Sequence, residues 1–277
     1  MKHELSTTHI MTRRDFATRS TMVIAGLLGG ATGVMAARSS PVSVRSPDPK
    51  LIEDLVAANR ILADQGIVDG FGHVSVRHDA DPNRYLMSRD LAPALVTADD
   101  ILEYDMESNA IDAKGRSLYR ERFIHGEIYK ARPDVKAVVH DHSAGVIPFS
   151  LSSVPLRPAF HMAAFVVDGV PVFDPSREPG VQHLLVVTPE AGRALARTLG
   201  AKAAVLLRGH GAAVVGTSLP MVVGRAIYLD QSARIQAQAM ALGGEVTYLD
   251  PQAARAGVAN TYAPRAWDMW KRKAMMK

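Results

Sequence analysis

The hydrophobic positions of the chain alternate between helical spacing and strand spacing. The apolar side chains at positions 51, 52, 55, 56, 58, 61 and 62 predict an amphipathic helix that ends at Gly66. Thr188 and Ser218 are suited to cap two more helices, because their hydroxyl oxygens can accept the free N–H groups of a first turn. These two helices are predicted at residues 188–200 and 218–244, and another helix is predicted before them at residues 121–132.

Shorter segments between the predicted helices have strand patterns. Residues 73–78 and 84–88 alternate apolar and polar side chains, and residues 135–140 form a β-branched run that indicates a buried strand. Residues 202–216 contain two short apolar runs around a glycine turn. Since strands and helices alternate over about 210 residues, the pattern predicts one α/β domain. Several strands are close enough to form hairpins, so the pattern does not decide whether the sheet is parallel.

Composition narrows the possible functions only slightly. The 277 residues are 47% hydrophobic and 22% charged, which fits a globular chain with one sizeable core. The net charge is +4, and no basic run is interleaved with aromatic residues, so we expect no nucleic-acid partner. The absence of cysteine excludes a disulfide framework and any thiolate site.

The N-terminus resembles a twin-arginine export signal. Arg13 and Arg14 are followed by Phe16 and by an uncharged, glycine-rich stretch over residues 21–36. An uncleaved membrane anchor is the alternative, but this stretch is shorter than the roughly 20 residues that a span needs. We therefore expect cleavage after Ala36, a periplasmic location and no stable membrane insertion of the mature chain.

Three histidines in two motifs suggest a metal site. His140 and His142 follow the run of the buried strand, and residues two apart on a strand point to the same face. His210 lies between Gly209 and Gly211, where glycines permit a tight turn and close approach of the backbone. Three histidines with one open position form a catalytic site for a divalent ion, and we expect zinc or manganese, one per subunit.

A carboxylate precedes the histidine strand. Glu121 and His125 are four residues apart, which would place them on one face of the predicted helix. A carboxylate beside three imidazoles can act as a general acid and base, so Glu121 is the expected catalytic residue. His125 is expected to contact the residues that bind the metal rather than to bind the metal itself.

These motifs together resemble the class II aldolase and adducin-like family. The residues that carry the resemblance are Glu121, His125, the run "IYKARPDVKAVVHDH" and the Gly-His-Gly turn. The resemblance implies a single three-layer α/β/α domain of the class II aldolase type, a metal on His140, His142 and His210, and a homo-oligomer, commonly a tetramer. The expected organisation is a signal peptide at 1–36, a linker at 37–50, the domain at 51–250 and a C-terminal extension at 251–277.

The chain departs from the sugar-phosphate members of that family where they hold phosphate. Arg120 stands in place of a serine pair, His73 in place of an asparagine, and the segment around Arg89 lacks the glycine of a phosphate loop. Arginine binds carboxylates through two parallel hydrogen bonds. We therefore expect Arg89, Arg120 and His73 to bind a small carboxylate substrate, and His161 to line the same pocket.

The motifs "DGFGHVSVR", "ERFIHGEIY" and "LLRGHG" are similar to the decarboxylase-like branch of the family, which acts on hydroxylated aromatic or pyridine dicarboxylates. The expected function is a metal-dependent carbon–carbon lyase that cleaves or decarboxylates a small carboxylate through a metal-stabilised enolate. One alternative is an aldolase or epimerase acting on a sugar phosphate. The other is a non-catalytic adducin-like binding module, which would lack the metal triad.

Overall fold

The computed structural model describes residues 45–181, 183–257 and 264–276, so the predicted signal and most of the predicted linker lie outside the described residues. No helix within those ranges is both long enough and apolar enough to cross a bilayer. The helices are α1 Pro49–Asp64, α2 Phe123–Ala131, α3 Ile147–Leu151, α4 Pro189–Leu199, α5 Leu219–Ala241, α6 Pro251–Gly257 and α7 Pro264–Met275. The strands are β1 His73–Arg77, β2 Arg84–Ser88, β3 Ile101–Asp105, β4 Ala137–Asp141, β5 Val172–Phe173, β6 Ala204–Leu207 and β7 Gly211–Gly216.

The strands form one sheet in the order β3-β2-β1-β4-β7-β6-β5. Every neighbouring pair is antiparallel except β5 and β6, which answers the question that the sequence pattern left open. The histidine strand β4 lies in the centre, with β1 on one side and β7 on the other. In this register His140 pairs with His73 of β1 and with Ala213 of β7.

Helices cover both faces of the sheet, and the predicted three-layer α/β/α arrangement is confirmed. On one face, α1, α5 and α7 pack over a core that includes Val139 of β4. On the other face, α2 and α4 pack over a second core that includes Val138 of the same strand. Successive residues of β4 thus point to opposite layers, as expected for a strand buried on both sides.

The predicted helix starts are confirmed where capping chemistry is present. Thr188 accepts the Ala191 N–H at the start of α4, and Ser218 accepts the Met221 N–H at the start of α5. The short strands β3 and β5 and the helix α7 were not predicted.

Helix α7 lies in the predicted C-terminal extension but belongs to the main core. Its Trp267 and Trp270 are buried in the cluster that α1 and α5 share. The Lys271 ammonium also forms an ion pair with Asp54 of α1 at 2.7 Å.

Candidate metal centre

Four side chains meet at the end of the central strand. One ligand atom from each of Glu121, His140, His142 and His210 lies within 4.8 Å of all the others. The Nε2 atoms of His142 and His210 are 3.0 Å apart, and Glu121 Oε2 lies 3.5 Å from His210 Nε2 and 3.6 Å from His140 Nε2. The structure therefore brings together the three predicted metal ligands and the predicted catalytic carboxylate.

His140 is oriented by the neighbouring strand. Its Nδ1 lies 3.0 Å from the Ala212 carbonyl oxygen of β7, an acceptor that requires the proton of a neutral ring to be on Nδ1. Its buried Nε2 has no hydrogen-bond partner among the described residues. A buried ring nitrogen without a partner that faces two further imidazoles and a carboxylate fits a divalent ion, since such ions bind nitrogen and oxygen donors in this combination.

The glycines around His210 act as the sequence suggested. Gly209 has a φ of 64°, a conformation that favours glycine, and it forms the turn between β6 and β7. A Cβ atom at Gly211 would collide with the carbonyl oxygen of Asp141. The absence of that Cβ lets β7 approach the end of β4 closely enough for His210 to reach His142.

Glu121 reaches the site from a different backbone position than predicted. It lies in a short 3-10 turn over Arg120–Arg122, with φ −91° and ψ 17°, and α2 begins only at Phe123. The prediction that Glu121 and His125 share a helix face is therefore wrong, because Glu121 lies in this turn before the helix that carries His125. The Val186 N–H donates to Glu121 Oε1 at 2.9 Å, which leaves Oε2 to face the histidines.

The surroundings of the cluster shift the pKa values of its four side chains in different directions, and they favour the ionised form of Glu121. Burial opposes ionisation of Glu121, but His140, His210 and the Val186 N–H outweigh it and lower the carboxyl pKa to about 2. Burial also opposes protonation of His140, yet the Glu121 carboxylate raises the pKa of that imidazole above its ordinary value. Burial lowers the pKa of His210 to about 4 and that of His142 below its ordinary value.

His73 and His125 form a second layer behind the cluster. The Nδ1 of His73 and the Nε2 of His125 are 2.6 Å apart, and the His73 ring lies 5.1 Å from the His140 ring between centroids. Burial lowers the pKa of His125 to about 3 and the pKa of His73 well below its ordinary value, so both rings are neutral at physiological pH. Neither histidine belongs to the group of four ligand atoms.

The remaining predicted substrate residues have different surroundings. Arg89 Nε is paired with an Asp100 carboxylate oxygen at 2.7 Å, so its guanidinium is already partly engaged. Arg120 is exposed next to Glu121. His161 is exposed on a 3-10 helix and stacks edge-on against Phe160. The cavity that His161 lines is bordered by residues of α6 and by none of the four cluster residues.

The loop at the start of the motif "DGFGHVSVR" lies beside the cluster, and the sequence analysis gave no role to its Asp69 and Phe71. Asp69 Oδ1 is 3.8 Å from His142 Nδ1, which is within ion-pair range but longer than a hydrogen bond. The Phe71 ring, 70% exposed, lies 6.4 Å from the His142 ring. No periodic pattern marks a loop of this kind, although its aspartate, glycine and phenylalanine stand just before the predicted strand of His73.

Comparison with known proteins agrees with this geometry. A family model described as "Class II Aldolase and Adducin N-terminal domain" matches residues 53–237. The decarboxylase tropJ of Talaromyces stipitatus is 36% identical over 204 residues, which cover 69% of this chain and 77% of that protein. A 3,4-dihydroxyphthalate decarboxylase of Arthrobacter keyseri is 31% identical, with coverage of 69% and 79%. The L-fuculose 1-phosphate aldolase from Glaciozyma antarctica PI12 superposes with a TM-score of 0.65 at 27% identity, covering 82% of this chain and 87% of that one.

The chain belongs to the class II aldolase and adducin family. Its fold matches that of the solved aldolase, and its named relatives are decarboxylases and aldolases. It is therefore an enzyme of the class II aldolase superfamily, with a glutamate and histidine cluster able to hold one divalent ion.

Proposed function

We propose that this protein is a divalent-metal-dependent lyase that removes carbon dioxide from a hydroxylated aromatic carboxylate. One observation carries the proposal: the metal-binding group is complete in a chain whose relatives include two named decarboxylases. A binding module without catalysis would not need that group. A sugar-phosphate aldolase is less favoured, because Tyr119 and Arg120 precede Glu121 where sugar-phosphate members carry two serines.

Glu121 is placed to move the proton that the reaction requires. When bound, a divalent ion supplies a Lewis acid that stabilises negative charge on substrate oxygens. With a pKa of about 2, Glu121 is a carboxylate at neutral pH, so it accepts a proton before it can donate one. The Val186 N–H fixes Oε1, and Oε2 remains directed toward His140 and His210.

The reaction proceeds through three proton transfers, two of which involve Glu121. Glu121 takes the proton of a substrate hydroxyl group, the bond from the ring carbon to the carboxylate breaks, and carbon dioxide leaves while the electron pair stays on the ring carbon. Glu121 then protonates that carbon, and the hydroxyl oxygen recovers a proton from solvent. Each turnover consumes one solvent proton and releases one carbon dioxide.

Residues around the cluster supply contacts suited to an aromatic acid. The exposed Phe71 beside His142 offers a face against which an aromatic ring can pack. Arg120, exposed next to Glu121, offers a planar guanidinium to a second carboxylate. These two residues support an aromatic carboxylate over a phosphorylated sugar.

The test is a comparison of substrate classes on metal-loaded protein. Release of carbon dioxide would be measured with 3,4-dihydroxyphthalate and monohydroxylated benzoates, and aldol cleavage with L-fuculose 1-phosphate, using the Glu121→Gln variant as the control for background. We expect carbon dioxide from an ortho-hydroxylated acid. Efficient cleavage of the sugar phosphate, with no carbon dioxide from any acid, would reject the proposal.

For the metal we propose zinc or manganese, because imidazole and carboxylate ligands accept both ions. Elemental analysis of protein purified without chelator should find about one equivalent of either per chain.

We also propose a homo-tetramer. Leu151 and Leu184 are large apolar side chains that are 61% and 76% exposed, as expected at a subunit interface. A monomeric mass by light scattering would reject that assembly.

We propose that the mature chain is periplasmic. Support comes from Arg13, Arg14 and the glycine-rich stretch that follows them. N-terminal sequencing of protein from the periplasmic fraction should find a start near residue 37. Replacing both arginines by lysine should block export, and unchanged export of that variant would contradict the twin-arginine route.

A further inference from the structure

A chain of four buried polar side chains runs away from the metal centre. The Nδ1 of His73 contacts His125 Nε2 at 2.6 Å, His125 Nδ1 contacts Ser75 Oγ at 2.6 Å, and Ser75 Oγ contacts the Tyr129 hydroxyl at 2.8 Å. All four residues are at most 4% exposed. None of the four belongs to the metal-binding group or takes part in the proton transfers proposed above.

The far end of this chain is held firmly. The Arg77 guanidinium lies over the Tyr129 ring, with its carbon 4.7 Å from the centroid, and Arg77 Nη2 also donates to the Tyr129 carbonyl oxygen at 2.9 Å. Among the described residues, the Tyr129 hydroxyl has Ser75 Oγ as its side-chain partner, and the Val138 N–H, which can only donate, also lies against the hydroxyl oxygen. The hydroxyl proton of Tyr129 therefore has one acceptor available, and that acceptor is Ser75.

The Tyr129 hydroxyl, at the end of this hydrogen-bonded series, fixes the direction of every hydrogen bond in the series. If Tyr129 donates to Ser75, then Ser75 donates to His125 Nδ1, and a neutral His125 carries its proton on Nε2 and donates to His73 Nδ1. A neutral His73 then has its own proton on Nε2. The reverse direction would leave the buried Tyr129 proton without an acceptor, which costs the desolvation of that group.

The near end of the chain lies at the metal centre. His73 is the first residue of β1 and pairs in register with His140, with the two rings 5.1 Å apart between centroids. Gly72, with a φ of 83°, precedes it, and a Cβ atom there would press on Val68 and on the His140 carbonyl oxygen. Because His73 Nδ1 is occupied by His125, Nε2 is the ring atom left for a ligand.

We propose that His73 donates a hydrogen bond from Nε2–H to an anionic substrate oxygen beside the metal, and that Tyr129, Ser75 and His125 are positioning residues that hold it in that tautomer. The acceptor would be a carboxylate or phenolate oxygen, since a fixed neutral donor favours an anion. The identity of the acceptor rests on the proposed function, whereas the tautomer does not.

The tautomers can be read directly by NMR. Full-length protein labelled with 15N histidine, metal-free and then zinc-loaded, would give long-range 1H–15N spectra, with the two rings assigned from the His73→Gln and His125→Gln variants. We expect both His73 and His125 to carry the proton on Nε2. A proton on Nδ1 of either ring would overturn the inference, whatever reaction the enzyme catalyses.

A matched pair of tyrosine variants tests the positioning role. Tyr129→Phe frees the Ser75 hydroxyl to donate elsewhere, so a detectable fraction of His73 should shift to the Nδ1–H form. Tyr85→Phe removes a hydroxyl from a buried ring that lies 5.3 Å from the Tyr129 ring and stacks on His125 at 6.5 Å but has no hydrogen bond in the series, so both histidines should keep the proton on Nε2. Identical spectra for the two variants would remove Tyr129 from the mechanism.

Ligand binding tests the contact made by His73. The probe is 3,4-dihydroxybenzoate, titrated into zinc-loaded protein by calorimetry. His73→Met, which has no donor, should weaken binding by about 10- to 150-fold, the usual effect of losing a hydrogen bond to a charged group. His73→Gln keeps an N–H group and should recover part of the loss, with zinc content unchanged in both. Equal affinity of both variants and the wild type would overturn the contact, even if the tautomers are as expected. If wild-type protein binds no aromatic acid but shows the expected tautomers, the proposed substrate class fails and the hydrogen-bond chain stands.

Discussion

Replacing Glu121 by glutamine should lower the free energy of unfolding of the metal-free protein, and this loss should be largest between an acidic and a basic pH limit. Glutamine keeps the size of the side chain and an oxygen for the Val186 N–H, but it removes the negative charge beside His140. A fall in the Glu121 pKa from 4.5 to about 2 corresponds to about 3 kcal/mol, since each pKa unit is worth about 1.4 kcal/mol. This side chain is buried, so little solvent screening needs to be discounted.

The sign of the pH dependence follows from the two partners. The depressed pKa of Glu121 contributes stability that is complete above about 4.5 and is lost as the pH falls toward 2. The raised pKa of His140 contributes stability that is complete below 6.5 and is lost as the pH rises through its folded value. The wild type should therefore exceed Glu121→Gln by about 3 kcal/mol near pH 5.5, and by less at pH 3 and pH 8.5.

Urea unfolding of both metal-free proteins at those three pH values would measure this difference. Glu127→Gln provides the control, because Glu127 is also a buried glutamate but its ion-pair partners are Lys130 and Arg193 and not a histidine. That control should show no loss of the wild-type advantage between pH 5.5 and 8.5. A wild-type advantage over Glu121→Gln that is constant with pH, or absent at pH 5.5, would refute the assigned pairing of Glu121 with His140.

Three further results are expected. His210→Ala should lose most of its bound metal, because one of three imidazole ligands is gone; near-stoichiometric metal by elemental analysis would contradict the site. Metal binding near pH 7 should release up to one proton, from His140, and a smaller fraction of a proton as the pH rises through the raised pKa of that residue. Calorimetry in buffers of different ionisation enthalpy would measure this release, and a binding enthalpy that is the same in every buffer would contradict it. Arg120→Met should raise KM for an aromatic acid by about 10- to 150-fold, and Arg89→Met by less, because Asp100 already binds Arg89; the opposite order would show that the roles are exchanged.

Local chemistry made part of this site predictable from the sequence. The spacing of His140 and His142 and the glycines around His210 are requirements of a short segment, so they can be recognised without knowing the fold. The direction of Glu121 depends on whether the chain enters α2 through a kink, and helix boundaries are the least certain feature of a periodic pattern. The Val186 N–H that holds Glu121 carries no sequence signal, because every residue except proline has such a group.

Contacts made across the fold were not predictable in the same way. The partner of Arg89 is an aspartate eleven residues away, and only the turn between β2 and β3 shows that Asp100 is the carboxylate in reach. Ser75 and Tyr129 carry no sequence signal of their own, since their hydroxyl groups meet only when α2 packs against β1. The sheet order likewise depended on hairpin pairing that periodicity does not specify.

The position of the histidines on the central strand and its neighbour has an evolutionary consequence. His140 lies on the central strand of the sheet and His210 on the turn between β6 and β7, whereas Phe71, Arg120 and Val186 lie outside the long helices and strands, on connections of the kind that tolerate substitution. Descendants of one ancestral chain can therefore exchange the groups that select a substrate while inheriting the metal chemistry unchanged. Aldolases and decarboxylases can then diverge through a few loop replacements, and the catalytic histidines need not be reinvented for each new substrate.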